Sequence, residues 1–409
     1  MTMLVPATEV ARPSRPARRP ELDAIRAFVV MGLVFFHSAL VFDARDDFYV
    51  KNPETTGVIT IFAGLAVVWA MPMLFMVAGL GSWHSLRRRG PAGMAAERLR
   101  RLGVPLVFVT VALVPLPQWL RMRGETGSDE SYLRFLPRFF DVRLDLSDFP
   151  FVLRGEHFET GHLWFVVLLL AFSLMLAPVA AWLPREPTRR LLDRLATVAQ
   201  RRGAILLPAI PVAALCALVG LEEAFAGWSR WAYLLFFVYG VVLASDPRFR
   251  EAMRREAMRA GVLAVALFSI GAVAFMSAED PFTDMTGVAI VGRTLYGLTG
   301  WCALVAIAGL LDRRQASTSD SAGGSRRRLF DYVGTAALPL YLLHQPILVA
   351  VAYVVVRWDA AIPVKYAVLV TVTYAITVAA YELLVRRVRL ARFLFGLREP
   401  TVGLIHSRA

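Results

Sequence analysis

Apolar residues gather along this chain into ten runs, at roughly 24–42, 58–82, 102–120, 161–183, 203–221, 228–244, 258–277, 288–311, 333–356 and 364–385. Most are close to twenty residues long. A helix rising 1.5 Å per residue needs about that length to cross a hydrocarbon core of ~30 Å. The pattern predicts an all-α polytopic membrane protein of about ten transmembrane helices.

The polar intervals differ in character. Residues 121–160 form a long interval with eight acids, six arginines and aromatic stretches such as "RFLPRFF" and "DFPFVL". A connection of that length is usually functional, and its aromatics predict packing onto the mouth of the bundle. Residues 312–332 include "RRQASTSDSAGGSRRR". Ser, Gly and charge dominate, so a flexible linker is expected there. The remaining boundaries give a basic tail at 1–20, one transmembrane domain over 21–398 and a second tail at 399–409.

Charge sets the orientation. Alternating loops from an inside N-terminus, and counting charges at span ends with the loops they adjoin, puts 32 Lys+Arg inside and 11 outside. The positive-inside rule then places both termini in the cytoplasm and 121–160 outside. The first run follows Arg12, Arg15, Arg18 and Arg19 but carries Asp23, Arg26 and His37, and no small-residue cleavage site follows it. It reads as a retained helix rather than a signal peptide. Composition agrees: 57% of residues are hydrophobic and 19% charged, with a mean hydropathy of +0.55. The net charge of +13 sits in short loops, without the groove-reading module that nucleic-acid binding requires. Cys216 and Cys302 lie inside apolar runs and are expected as free, buried thiols.

Ionisable residues inside spans are costly and point to function. Arg26 and His37 are eleven residues apart, three turns plus ~20°, so they share one face of the first helix with ~16 Å between them along the axis. Asp23 is placed to pair with Arg26 one turn away. The structural alternatives are a snorkelling anchor for Arg26 and a helix–helix hydrogen bond for His37. In "LPLYLLHQP", Tyr341 and His344 stand between Pro339 and Pro346, where a proline break would open a cavity; a simple kink is the alternative. "GHLWFV" puts His162 at the start of the fourth run, at the exposed helix mouth. Arg293 enters the eighth run from the outside. "EHFETGH" has no standard metal spacing, and neither a nucleophile elbow nor a Walker A loop is present. No metal is expected.

Five segments, in order, resemble the acyltransferase-3 family of integral membrane O-acyltransferases: "ELDAIRAFVVMGLVFFHS" (21–38), "PMLFMVAGLGS" (72–82), "RLRRLGVPLVF" (98–108), "GHLWFV" (161–166) and "LYLLHQP" (340–346). The likeness runs from about 21 to 395, and the set also resembles the subgroup of glucan-modifying succinyltransferase-type proteins. The family's Arg-x10-His pattern falls on Arg26 and His37. Ala78 stands where many members carry Ser, so no role passes to it.

The resemblance implies transfer of an acetyl- or succinyl-type group from a cytoplasmic acyl-CoA-like donor to a hydroxyl of a sugar, glycan or glycolipid. Acyl-CoA would be a co-substrate, with no permanently bound cofactor. Arg26, Arg100 and Arg101 would hold the donor, and His37, Arg26 and His344 would form the catalytic set. Tyr341, Arg293, His344 and His162 are candidates to meet the acceptor or its oxyanion. The expected surroundings are lipid and a bacterial cytoplasmic (plasma) membrane, with no nucleic acid. A transporter or flippase is the rival class, since broken helices and intramembrane charge suit it too.

Overall fold

A computed structural model describes residues 20–127, 129–318 and 324–397. Fifteen α-helices carry these described residues: α1 (Pro20–Leu40), α2 (Val58–Val67), α3 (Ala70–Arg98), α4 (Val104–Ala112), α5 (Pro115–Thr126), α6 (Tyr132–Phe139), α7 (Trp164–Trp182), α8 (Arg185–Ala199), α9 (Ala209–Val219), α10 (Arg230–Leu243), α11 (Pro247–Ser277), α12 (Gly287–Thr318), α13 (Gly324–Val355), α14 (Ile362–Ala380) and α15 (Arg389–Leu394). The only sheet among the described residues is a two-stranded antiparallel ribbon, β1 (Arg143–Leu144) with β2 (Leu153–Arg154).

The helices sort apolar residues in a way water would not tolerate. On α1, Ile25, Val29, Val30, Leu33 and Val34 face the bundle. Phe28 and Phe35, two turns apart, face outward at 68% and 50% exposure. Phe62, Leu218 and Val265 are similarly bare on other helices. Apolar patches of that kind mark a lipid-facing surface.

Seven stretches among the described residues are long and apolar enough to cross a bilayer, or eight if the bent pair Arg185–Ala199 and Ala204–Val219 is one span. The ten expected runs are distributed differently from a simple one-to-one count. The second and third fall in one 68-residue helical stretch, Val58–Glu125. It kinks at Gly90, whose φ of 72° lies in the left-handed region. The first is the shorter apolar segment Ile25–Leu40. The fifth has an 11-residue helix, α9, and α8 fills an interval expected as loop.

Close approach of backbones holds the bundle together, using the small residues that membrane helix contacts favour. A methyl on Gly79 of α3 would drive into the Phe237 carbonyl of α10, and one on Gly240 of α10 would drive into the Met76 carbonyl of α3. α12 offers Gly292 to α11, Gly297 to α9 and Gly309 to α11 in the same manner. α1 packs mainly along α13, with α14 and α3 alongside.

The 121–160 interval does pack down. Trp119 Nε1 donates to the Glu130 carbonyl at 3.0 Å, and Phe135 and Phe139 are fully buried. Phe151 stacks on Phe225, and Arg230 bridges Asp148 and Glu222, each at 2.6 Å. The 312–332 interval is helical wherever it is described, because α12 continues to Thr318 and α13 begins at Gly324. The chain termini, residues 319–323 and the Asp23 side chain lie outside the described positions.

Candidate active site

The end of α1 is fixed by its own loop. Lys51 Nζ donates to the Leu40 carbonyl at 2.8 Å, satisfying a C-terminal carbonyl of the helix. Asp43 turns the chain by accepting from the backbone of Arg45 and Asp46, and from the Thr60 hydroxyl. It is committed there and does not reach His37. Phe48, on the same loop, then stacks on the His37 ring.

His37 meets His344. Nδ1 of His37 lies 3.0 Å from Nε2 of His344, with the rings 10° from parallel. The proton positions follow from the network. Nδ1 of His344 lies 2.6 Å from the Tyr341 carbonyl, which only accepts, so that nitrogen carries hydrogen. In neutral His344, Nε2 is then bare and accepts. Nδ1 of His37 must be the donor. The bare lone pair of a neutral His37 is therefore on Nε2, which no described group engages.

His162 closes the cluster. Its ring is edge-on to His344 at 5.4 Å between centroids, and Nε2 donates to the Leu342 carbonyl at 3.2 Å. The reason lies in sequence. Pro346 has no N–H, so the carbonyl four residues back, Leu342, loses its helical partner. His162 replaces it, and α13 runs on without a break. Contrary to the exposed position expected at a helix mouth, His162 is 6% exposed.

Tyr341 donates its hydroxyl to the His162 carbonyl, and both His344 nitrogens are engaged, so neither side chain has a spare proton to offer. Arg293 is fully buried elsewhere, donating to the carbonyls of Pro281 and Ala217 where α12 meets α9.

Near the other end of α1, Arg26 reaches α3, donating to the Val77 carbonyl at 3.5 Å. Arg98 arrives at the same place, with Nη2 3.0 Å from Ser82 Oγ. Gly81 lies between them: a Cβ there would sit 3.3 Å from Arg26 Nη2 and 3.9 Å from Arg98 Nη2. Arg101 pairs with Glu97 at 4.0 Å, and Arg100 lies over the Phe393 ring. The expected donor set was Arg26, Arg100 and Arg101; Arg98 stood outside it, although it lies beside Arg26 at Gly81. The available signal was the "RLRR" spacing, which puts Arg98 and Arg101 one turn apart on a common face.

The three polar members of "EHFETGH" turn to different partners. His157 meets Arg138 at 2.6 Å, Glu159 accepts from the Tyr49 hydroxyl and His162 serves Leu342. Among the described residues no three His, Cys, Asp or Glu side chains group to hold a metal. Cys216 and Cys302 are free and buried.

Apolar helices thus carry an oriented pair of imidazoles at one end of α1 and two guanidinium groups near its other end. The acyltransferase-3 family model, an acyltransferase domain, matches residues 19–382. The chain belongs to that family and is a membrane-embedded acyltransferase. No curated protein and no solved structure matches it.

Proposed function

We propose that the protein is an O-acyltransferase that moves an acetyl- or succinyl-type group from a cytoplasmic acyl-CoA-like donor to a hydroxyl of a sugar, glycan or glycolipid. The observation that carries this reading is the Tyr341 carbonyl–His344–His37 chain, which leaves Nε2 of His37 as the available base.

Arg26 and Arg98 hold donor phosphates by charge-assisted hydrogen bonds, with Arg100 and Arg101 at the rim. The thioester extends along α1 toward His37. As the acceptor oxygen attacks the acyl carbon, its proton passes to Nε2 of His37. The new C–O bond forms and the C–S bond breaks. His37 then returns the proton to the departing thiolate, so ester and free thiol leave. While His37 is charged, His344 Nε2 accepts its Nδ1–H more strongly, and the ring stays oriented throughout.

This reading places ten spans across a bacterial cytoplasmic membrane with both termini inside. The 68-residue Val58–Glu125 stretch supplies two of them, since at 1.5 Å per residue it far exceeds one ~30 Å crossing. Mass spectrometry of surface glycans and lipids, from cells with and without the protein, tests the function. The expected result is an ester present only with the wild-type chain and absent with His37→Ala at matched protein levels. Identical ester content in all three would overturn it.

A further inference from the structure

Beyond the two-histidine pair, a second polar chain reaches the same place from the opposite direction. Tyr49 follows Phe48, whose ring stacks on His37. Gln345 follows His344 and is 5% exposed. The Tyr49 hydroxyl donates to Glu159 Oε1, and the Gln345 side chain lies close enough to influence the same phenol. Each residue at the inner end of this chain is thus one step along the backbone from a residue of the pair or its stacking ring.

The arrangement is built tightly. Gly161 has φ of 49°, and a Cβ there would sit 2.9 Å from the Tyr49 hydroxyl. A side chain at 161 would be strained in that backbone and would displace the phenol. Glycine at this position lets the 155–161 segment bring Glu159 against Tyr49. Arg121 lies near enough to act on the carboxylate electrostatically, while its own hydrogen bonds go to Asp47 and Glu125.

Glu159 is therefore held by one oxygen only. Tyr49 is its sole hydrogen-bond donor among the described residues, and Oε2 keeps its accepting capacity. An ionised carboxylate offers about four lone-pair sites and forms charge-assisted bonds of roughly twice neutral strength. A polyhydroxyl compound is the chemistry that satisfies such a group.

We propose that Glu159, positioned by Tyr49, is a binding residue for the acceptor, taking hydrogen bonds from hydroxyls of a sugar adjacent to the one that is acylated. The inference rests on the transferase reading above. It assigns Glu159 to acceptor capture, with no part in proton transfer to His37.

The test uses the full-length protein in membranes, acetyl-CoA or succinyl-CoA as donor, and the glycan extract of the expressing cells as acceptor. Free thiol release is followed with and without extract. Wild-type protein is expected to show extract-stimulated release. Glu159→Gln is expected to need at least about tenfold more extract for half-maximal stimulation, with the same donor dependence and the same extract-free thiol release. That figure follows from a charge-assisted hydrogen bond of ~1.5–3 kcal/mol. Tyr49→Phe, which keeps the ring and removes the hydroxyl, is expected to shift the same parameter by a smaller factor. It provides the measurement if Glu159→Gln fails to accumulate. Glu159→Asp should restore part of the effect. An extract dependence equal to wild type in Glu159→Gln, or in Tyr49→Phe where that is the variant measured, would overturn the acceptor site. Loss of extract-free release along with stimulation would also overturn it, because the residue would then serve the fold or the donor. Absence of stimulation in the wild-type protein would instead overturn the transferase reading itself.

Discussion

Nδ1 of His37, in the last turn of α1, lies 3.0 Å from Nε2 of His344 in α13. With the His344 proton committed to the Tyr341 carbonyl, His344 acts as the acceptor that fixes the His37 tautomer. The two histidines should then respond differently to the same substitution. His37→Gln loses the base and should lower acyl transfer by about 10²-fold or more. Glutamine at 344 places an amide oxygen near the former Nε2 position and can still accept from His37. His344→Gln should therefore lose only roughly 10- to 100-fold, the scale of an orienting partner, and should exceed His344→Ala. Transfer rates in membranes with matched protein levels decide it. Equal inactivity of His344→Gln and His37→Gln would remove the orienting role.

Arg98 and Arg26 converge on Gly81, so donor binding should depend on both. Arg98→Ala should raise the donor KM about tenfold or more, from ~1.5–3 kcal/mol for a hydrogen bond to a charged group. Arg26→Ala should act in the same direction, with Arg26→Lys partly restoring affinity because charge remains but the guanidinium fork is lost. Donor titrations of folded, purified protein check this. An unchanged donor KM in both alanine variants would move the phosphate site elsewhere.

The reciprocal contact of Gly79 and Gly240 with the facing backbones makes a stability prediction independent of function. Gly79→Val forces α3 and α10 apart and should cost about 3 kcal/mol. Gly240→Val should do likewise. Gly32 in α1 has open space around it, so Gly32→Ala is the control and should be neutral or slightly stabilising. Thermal unfolding in detergent measures all three. A wild-type melting temperature for Gly79→Val would contradict the close crossing.

Burial pushes the Glu159 carboxyl above its ordinary range, although the Tyr49 hydrogen bond and the Arg121 charge oppose the shift. Asp47 pushes in the same direction as burial. The protonated form cannot act as a charged acceptor of sugar hydroxyls. Acceptor affinity should be complete above the raised pKa and fall as pH drops through it, at a higher pH than an exposed glutamate would give. Stability runs the other way. A carboxyl with a raised folded pKa favours folding below the unfolded value and loses that contribution as pH rises through the folded one. Acceptor titrations across pH for wild type and Glu159→Gln separate the two. An identical pH profile in the variant would show that another group titrates.

The proposed orientation rests on the expected count of 32 basic residues inside against 11 outside. Residue 140, on the packed 121–160 segment, should label from outside intact cells when made the only cysteine in a chain lacking Cys216 and Cys302. Residues at both termini should label only after the membrane is opened. Labelling of position 140 only after permeabilisation would reverse the topology.

Hydropathy located most of the long apolar helices, because a bilayer demands apolar runs of about twenty residues and leaves a one-dimensional trace, but it left α6 and α8 in intervals read as loop and did not foresee the single helical stretch Val58–Glu125. It also singled out Arg26, His37 and His344, since ionisable groups inside such runs stand out by their cost. The sequence could announce that Pro346 leaves the Leu342 carbonyl without its helical donor, but not that His162, 180 residues earlier, supplies one. It could place His37 and Arg26 on one helix face, yet His37 finds its partner across 307 residues. Arg98 meets Arg26 at Gly81 only through the packing of α1 on α3, and Arg293, equally conspicuous in its run, joins α12 to α9. These outcomes depend on which helices touch and at what depth. That is set by close crossings at small residues such as Gly79 and Gly240, whose consequences appear only once the helices are packed in three dimensions.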